Sequence, residues 1–200
     1  MTGRIVVLIS GSGSNMEALV HACEAGEVPG AVVAVVSDRE CTGLKLSADR
    51  GIATEILEPR DFASREEWSG AFADLVEAQE PDLVVSAGFM RILAPVFVER
   101  FFGKLINLHP SLLPSFPGAH AVQDALEARV KVTGTTVHFV DYEVDHGPIL
   151  LQEEVPVENS DTEETLHERI KAVEHRLLPQ ACRLLLEGRA RLEGGRVVLN

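Results

Sequence analysis

Residues 5–9 read Ile-Val-Val-Leu-Ile and lead directly into Ser10-Gly11-Ser12-Gly13-Ser14-Asn15. A short apolar run that is rich in β-branched residues is typical of a strand buried on both faces of a sheet. The glycine-rich turn is followed by a helical pattern at Asn15–Ala25. Such a strand, turn and helix form the repeating unit of a parallel α/β sheet, so the chain is expected to open as an α/β protein.

The same alternation continues through the first half of the chain. Further strands are expected at Ala31–Val36, Thr54–Leu57, Leu83–Val85 and Leu105–Leu108, and helices at Gly43–Arg50, Phe62–Gln79 and Pro95–Arg100. Ser64 and Glu67 have the spacing of a capping box for the third helix, and Glu80-Pro81 is expected to end it. We predict a Rossmann-like, mostly parallel twisted sheet with helices on both faces.

The pattern changes after Leu108. The proline-rich segment His109–Gly118 predicts a loop, and Ala121–Ala128 a short helix. Two extended runs, Thr133–Val140 and Pro148–Val157, flank an acidic turn and predict antiparallel strands in the C-terminal half.

The last part of the chain carries a second set of helix and hairpin signals. Ser160 and Glu163 have capping-box spacing and predict the start of a long helix, which Pro179 is expected to kink or restart. Residues Arg189–Leu199 surround Gly194-Gly195 and predict a closing hairpin. The expected organisation is a single domain over residues 1–200, with halves at 1–108 and 109–200.

Charge and cysteine content restrict the class of protein. The net charge of −13 opposes binding to nucleic acid, which depends largely on Lys and Arg. Three cysteines without a C-x-x-C motif indicate neither a disulfide framework nor a zinc knuckle, and they fit a reducing compartment. The apolar run at residues 5–9 is too short for a signal peptide or a membrane span. We therefore expect a cytoplasmic protein with no nucleic-acid or membrane partner.

The glycine-rich turn at Ser10–Asn15 is a candidate anion site, because free N–H groups and the helix dipole favour negative charge there. A dinucleotide fingerprint would require glycine where the chain has Met16, and a P-loop would require a lysine that is absent. The remaining interpretation is a binding site for one phosphate, formed by Gly13, Ser14 and Asn15. An ordinary tight turn with a helix cap is the alternative.

Asn107 and His109 lie two residues apart at the end of a predicted strand, so their side chains should share one face. Ligand sites of open α/β sheets lie at the carboxyl ends of the strands. An Asn amide can donate a hydrogen bond to an oxyanion, and a His can carry a proton near neutral pH. The alternative is an Asn bonded to the backbone and a His that only caps the loop.

The acidic turn contains Asp141, Glu143 and Asp145, which could also be solvated surface carboxylates. A calcium loop is excluded because His146 and Gln152 occupy the positions that require Gly and Glu. Four histidines between residues 109 and 146 lack metal-motif spacing: His109, His120, His138 and His146. No metal is expected.

Asn107 and the following His109-Pro110-Ser111-Leu112-Leu113-Pro114 resemble the signature of the folate-dependent formyltransferase family. The likeness extends from Arg4 to about Pro179. It includes Gly11-x-Gly13-Ser14-Asn15, Ala87–Leu93, Pro117-Gly118-x-His120, Gly134–Val140 and Asp145-x-Gly147-Pro148-Ile149. So many blocks in the same order argue against a chance likeness.

The resemblance implies the formyltransferase fold and a formyl transfer in purine biosynthesis. Its implied donor is the cosubstrate 10-formyltetrahydrofolate, and its implied acceptor is the amine of glycinamide ribonucleotide. It also implies that Asn107, His109 and Asp145 are catalytic, and that the formyl group passes directly through a tetrahedral intermediate.

The resemblance assigns binding roles as well, with the acceptor in the N-terminal half and folate in the C-terminal half. Gly13, Ser14, Asn15 and Glu174 would bind the acceptor, although Glu174 could be a surface helix carboxylate. The folate-binding residues would be Arg65, Met90, Arg91, Ile92, Leu93, Asp141, Tyr142, Glu143 and Val144. His120 and His138 would support the site.

One position departs from the family pattern, which is commonly Asp-Gly-Gly where this chain has Asp145-His146-Gly147. A residue with a side chain resists positive φ. If residue 146 requires that conformation, we expect the folate loop to shift.

Three alternative functions share part of this pattern. A formyltetrahydrofolate hydrolase uses a similar Asn-His-Asp set but carries an extra N-terminal domain, whereas the first strand here is expected to begin at Arg4. A methionyl-tRNA formyltransferase carries an additional tRNA-binding domain, and the negative charge opposes RNA binding. A non-catalytic folate or sugar-phosphate binding module would not need Asn107, His109 and Asp145 together. Whether the chain forms a homodimer stays open.

Overall fold

The computed structural model describes residues 2–200 and contains a seven-stranded sheet with flanking helices. The strands are β1 Gly3–Ile9, β2 Gly30–Ser37, β3 Ala53–Ile56, β4 Leu83–Ser86, β5 Leu105–His109, β6 Val132–Phe139, β7 Ile149–Pro156, β8 Ala190–Glu193 and β9 Arg196–Leu199. The helices are α1 Ser14–Glu24, α2 Thr42–Asp49, α3 Arg65–Glu77, α4 Pro95–Arg100, α5 Ala121–Glu127 and α6 Glu163–Leu186, with a 3₁₀ turn at Pro59–Asp61.

The sheet has the strand order β3-β2-β1-β4-β5-β6-β7. Strands β1 to β5 pair in parallel, whereas β6 pairs antiparallel with β5, and β7 antiparallel with β6. The predicted class, a mostly parallel sheet with antiparallel strands in the C-terminal half, is confirmed. In the β5–β6 pair, Asn107 lies opposite His138 and His109 opposite Thr136.

The sheet separates two hydrophobic cores, because successive side chains of a strand point to opposite faces. Val7 and Ile9 of β1 pack with Leu19 of α1 and Leu178 of α6 on one face. On the other face, Val6 and Leu8 pack with Trp68 and Phe72 of α3, together with residues of α4. Burial on both faces explains why the central strands read as continuous apolar runs.

Helix α6 begins at a different cap from the predicted one. Thr162, not Ser160, is the N-cap: its hydroxyl accepts from the Thr165 N–H at 3.2 Å, and the Thr165 hydroxyl accepts from the Thr162 N–H at 2.9 Å. Of the two outcomes predicted for Pro179, a kink or a restart of the helix, the restart is wrong, because α6 continues through the proline, and the kink stays a prediction. Leu178 and Ala181 beside the proline are buried in the core, and this packing outweighs the local cost of the missing N–H.

Helix α3 is shorter than predicted at its N-terminus. It begins at Arg65, and Phe62 lies outside it. The Ser64 hydroxyl accepts from the Glu67 N–H at 3.1 Å, as the capping spacing requires, but the Glu67 carboxylate accepts from Ala63 instead of Ser64. The cap therefore fixes the start of the helix at Arg65.

The C-terminal residues form the predicted hairpin. Strands β8 and β9 pair antiparallel, and Gly194 and Gly195 between them both have positive φ. Within residues 2–200, no helix has the length and apolar character that a bilayer crossing requires.

Candidate active site

The carboxyl ends of β1, β4 and β5 meet at one edge of the sheet, because these strands are parallel. Strands β2 and β4 flank β1 on opposite sides, so the strand order reverses there. Open α/β sheets bind ligands at such a switch point. This edge carries the turn at residues 10–13, the irregular segment 87–94 and the end of β5 with Asn107 and His109.

A polar cluster surrounds the Asp145 carboxylate at this edge. His109 Nδ1 lies 3.4 Å from Asp145 Oδ2, and Asn107 Nδ2 donates to Asp145 Oδ1 at 3.4 Å. His138 Nε2 lies 3.7 Å from Asp145 Oδ1. The structure thus brings Asn107, His109 and Asp145 together, although they belong to two separate parts of the chain.

Backbone groups hold both histidine rings of the cluster. His109 Nε2 lies 2.9 Å from the Phe116 carbonyl oxygen, and His138 Nδ1 lies 2.9 Å from the Phe139 carbonyl oxygen. A carbonyl can only accept, so each of these ring nitrogens carries a proton. A neutral His109 would then present a lone pair to Asp145, whereas a protonated His109 donates to it from Nδ1. The contacts therefore place Asp145 where its carboxylate can accept a hydrogen bond from a protonated His109 ring.

Asp145 is held in its ionised form. Burial alone would raise its pKa, but the contact with His138, the hydrogen bond from the Gly118 N–H and the charge of His109 outweigh burial and hold the pKa below its ordinary value. The Gly118 N–H donates to Asp145 Oδ2 at 2.8 Å. Asp145 is therefore an anion at neutral pH, able to stabilise a neighbouring cation.

The backbone of the acidic turn does not require positive φ at His146, so the condition for the expected shift of the loop is not met. Positive φ occurs at Asp145, at 54°, whereas His146 is not among the residues with positive φ. The His146 side chain is 68% exposed, with Nδ1 at 3.5 Å from Asp141 Oδ2. Glycine is required one residue later, because a Cβ at Gly147 would overlap the Phe139 carbonyl oxygen. A side chain at residue 146 therefore adds no left-handed backbone strain to the loop.

The glycine-rich turn has the geometry of an anion site. Gly13 has a left-handed φ of 78°, and a Cβ there would lie 2.8 Å from the Gly43 Cα atom. The first internal hydrogen bond of α1 runs from the Glu17 N–H to the Gly13 carbonyl. The N–H groups of Ser14, Asn15 and Met16 precede it and have no partner within the helix.

Glu174 connects this turn to helix α6. Its side chain lies inside the protein, and the residue is only 4% exposed, so it is not a surface helix carboxylate. Glu174 Oε2 accepts from Asn15 Nδ2 at 2.8 Å, and Oε1 accepts from the Thr135 hydroxyl at 3.4 Å. Burial raises the pKa of Glu174, and these two hydrogen bonds offset that effect only in part. Asn15 Oδ1 is buried and has no hydrogen-bond partner among the described residues.

The remaining predicted site residues lie around the edge in different settings. Met90, Ile92, Tyr142 and Val144 are exposed large hydrophobic residues, while Leu93 packs against a core. Glu143 is exposed, and its N–H donates to Asp141 Oδ1 at 3.0 Å. Arg65 is exposed on α3 and donates to Glu66 at 3.4 Å. His120 is exposed, and its ring makes no hydrogen bond with the described residues, whereas His138 contacts the polar cluster.

Sequence reasoning missed Asp38, which directly follows β2 at this edge. Its carboxylate is buried, and it accepts from the Ser10 hydroxyl at 2.6 Å and from Arg91 Nε at 2.7 Å. An aspartate at the carboxyl end of a predicted strand was the available signal. In residues 2–200, no group of three or more His, Cys, Asp or Glu side chains is placed to hold a metal ion.

Comparison with known proteins relates this geometry to one family. Residues 3–182 match the family model described as "Formyl transferase". The chain is 53% identical over 178 residues to the phosphoribosylglycinamide formyltransferase of Mycobacterium tuberculosis strain H37Rv, covering 89% of the chain and 82% of that protein. It is 43% identical over 189 residues to the Escherichia coli K12 protein of the same name, covering 94% of the chain and 89% of that protein.

A solved structure gives the same likeness in three dimensions. The crystal structure of glycinamide ribonucleotide transformylase 1 from Symbiobacterium toebii superposes with a TM-score of 0.96 at 46% identity. The match covers 99% of this chain and 94% of that one.

Proposed function

The chain belongs to the formyl transferase family, and from this premise we propose the reaction that it catalyses. It transfers the formyl group of 10-formyltetrahydrofolate to the amine of glycinamide ribonucleotide. The products are formylglycinamide ribonucleotide and tetrahydrofolate, and the reaction is a step of purine biosynthesis. The relatives named phosphoribosylglycinamide formyltransferase, which match nearly the whole chain, support this acceptor.

The observation that carries the chemical proposal is the contact of Asp145 with both His109 and Asn107. The acceptor amine attacks the formyl carbon, and the carbonyl oxygen becomes an oxyanion. The Asn107 amide and the protonated His109 stabilise that oxyanion by hydrogen bonding. Losing one such donor costs about 2.7–4 kcal/mol of barrier.

Two proton transfers complete the reaction. The attacking nitrogen becomes positively charged and loses a proton, which Asp145 accepts through water. The folate nitrogen gains a proton from His109 as its bond to the formyl carbon breaks. The amine is itself the nucleophile, so the transfer is direct, in a ternary complex without a formyl-enzyme.

The binding roles follow the two sides of the polar cluster. The acceptor phosphate binds the N–H groups at Gly13, Ser14 and Asn15, beside Glu174. Folate binds between the segment from Met90 to Leu93 and the loop from Asp141 to Val144, whose exposed apolar side chains suit a flat ring. Arg65 borders the folate from α3, and His120 and His138 support the site.

The first prediction tests the roles of His109 and Asp145. We expect His109→Ala and Asp145→Asn each to lower kcat by about 10² to 10³ while leaving the fold intact, because each removes charge stabilisation of the intermediate. Formyl transfer is measured with glycinamide ribonucleotide and water offered in competition. His21→Ala, at an exposed histidine of α1, is the control and should keep full activity.

Two outcomes would contradict this proposal. Full activity in both site variants would remove the roles given to His109 and Asp145. Formate release at the same rate with and without the amine acceptor would identify a formyltetrahydrofolate hydrolase instead.

The cellular location is also a proposal. Cys23, Cys41 and Cys182 are all free thiols, which suits a reducing cytoplasm. We also place the proposed purine precursor in the cytoplasm, so the enzyme and its substrate would share that compartment.

A further inference from the structure

We propose that Asp38 is a positioning residue that orders the folate-facing segment around Met90 and Arg91. The inference rests on the proposed function, which places folate against that segment. It assigns a role to a buried carboxylate that does not belong to the Asn107, His109 and Asp145 cluster.

The segment between Ser86 and Pro95 has no regular secondary structure, so its conformation depends on individual contacts. The Ala87 N–H donates to the Leu8 carbonyl at 3.0 Å, as a continuation of the β1–β4 pairing. Further along, the Met90 N–H donates to the Ser10 hydroxyl oxygen at 2.8 Å. The Ser10 N–H also donates to the Gly88 carbonyl at 3.1 Å, so backbone pairing extends as far as Gly88, and at Met90 the segment is held by a side chain instead.

Asp38 orients the Ser10 hydroxyl that accepts this hydrogen bond. The Ser10 hydroxyl donates its only proton to Asp38 Oδ1 at 2.6 Å, which leaves its lone pairs free to accept from Met90. The second carboxylate oxygen, Oδ2, accepts from Arg91 Nε at 2.7 Å. One carboxylate thus holds two successive residues of the segment, the first through Ser10 and the second directly.

The setting of Asp38 makes this tether rigid. Its side chain is 0% exposed, so the carboxylate has no competing contact with bulk water. Burial raises its pKa, but hydrogen bonds from Arg39, Ser10 and Arg91 outweigh burial and hold the pKa below its ordinary value. An ionised acceptor makes shorter and stronger hydrogen bonds than a neutral one.

An asparagine at residue 38 would keep the size of the side chain but change its chemistry. It offers one oxygen acceptor and one NH₂ donor, so it cannot accept from both Ser10 and Arg91. Either the NH₂ group faces Arg91 and that tether is lost, or it donates to Ser10 and both tethers persist without the negative charge that strengthens them. In each case the segment gains freedom that folate binding must remove. The loss should appear in folate binding and not in acceptor binding.

The second prediction concerns Asp38→Asn. We expect the KM for 10-formyltetrahydrofolate to rise about tenfold, the KM for glycinamide ribonucleotide to stay within about twofold, and kcat to fall less than the folate KM rises. Asp161→Asn is the matched control, because the Asp161 carboxylate is 2% exposed and tethers Arg169 of α6, which is not part of the folate-facing segment. The control should lower thermal stability without changing the ratio of the two KM values.

Arg91→Ala tests the same path on an exposed side chain whose loss leaves the core intact. It should raise the folate KM. In the Arg91→Ala background, Asp38→Asn should raise the folate KM further only through the lost contact with Ser10, and Ser10→Ala removes that contact as well. The double variant of residues 38 and 91 should therefore raise the folate KM by less than the product of the two single effects. A full product would overturn the proposed coupling.

Equilibrium binding of tetrahydrofolate, followed by calorimetry, separates this inference from the proposed reaction. Weaker binding to the Asp38→Asn variant than to the wild type supports the positioning role. Equal binding to both, or an equal rise of both KM values, overturns that role while the transferase assignment stands. Failure of the wild type both to bind tetrahydrofolate and to transfer formyl groups would overturn the proposed function itself.

Discussion

Two buried carboxylates near the candidate site, Asp145 and Glu174, have opposite electrostatic settings. Asp145 lies beside two histidines and a backbone N–H, and its pKa is lowered despite burial. Glu174 is bonded only by the neutral groups of Asn15 and Thr135, and burial raises its pKa. The fold therefore stabilises the charge on the residue proposed for catalysis and opposes the charge on the residue proposed for acceptor binding.

The third prediction is that Glu174→Gln makes the free protein more stable relative to the wild type as pH rises. A carboxyl whose folded pKa is raised contributes stability fully below its unfolded pKa, near 4.3, and that contribution is lost as pH rises through the folded pKa. A glutamine does not titrate, so the Tm of the variant minus that of the wild type should increase between pH 4 and pH 7.

Thermal unfolding across this pH range measures the effect, with Glu27→Gln at an exposed position as the control. The same Glu174 variant should raise the KM for glycinamide ribonucleotide. A Tm difference that does not vary with pH would contradict the electrostatic account of Glu174.

At the scale of single elements, apolar patterning located the elements well and polar patterning located their ends less well. The runs around Val84 and Ile106 lie in strands within one residue of the predicted bounds, because burial on both faces leaves a clear signal. At the start of α6, Ser160, Asp161 and Thr162 are all chemically suitable caps. The residue that becomes the N-cap is the one whose backbone is extended just before the helix, and residue type alone does not determine which residue that is.

The fourth prediction distinguishes the observed cap from the predicted one. Thr162→Ala should lower the free energy of unfolding by about 1 kcal/mol, because it removes the acceptor for the Thr165 N–H. Ser160→Ala should change it by less than about 0.5 kcal/mol, as at an ordinary surface position. Urea unfolding of both variants measures the difference, and the reverse order would place the cap at Ser160.

At the scale of the whole molecule, the sequence motifs located part of the site but not its support. Asn107, His109 and Asp145 could be predicted because a strand end and an acidic turn carry them in recognisable motifs. The position of Asp38 after a predicted strand was a signal for the edge of the sheet, but its partners could not be predicted, because its contacts with Ser10 and Arg91 span 28 and 53 residues of the chain. Such contacts exist only once the strands are assembled in their spatial order.

The fifth prediction concerns cooperativity between the two proposed halves. The pairing of β5 with β6 joins residues on both sides of position 108 in one continuous sheet. We therefore expect a single unfolding transition, with equal calorimetric and van't Hoff enthalpies. Two resolved transitions in calorimetry would show that residues 1–108 and 109–200 unfold as separate domains.

The alignment of Asn107 with His138 across β5 and β6 has a practical consequence. A slip of one residue would place Val137 or Phe139 opposite Asn107 and turn the His138 ring to the other side of the sheet. Molecules misaligned in this way would retain nearly the same content of helix and strand, so far-ultraviolet circular dichroism would not detect them. Turnover per mole of purified or refolded protein therefore reports the fraction of molecules whose strands are correctly aligned.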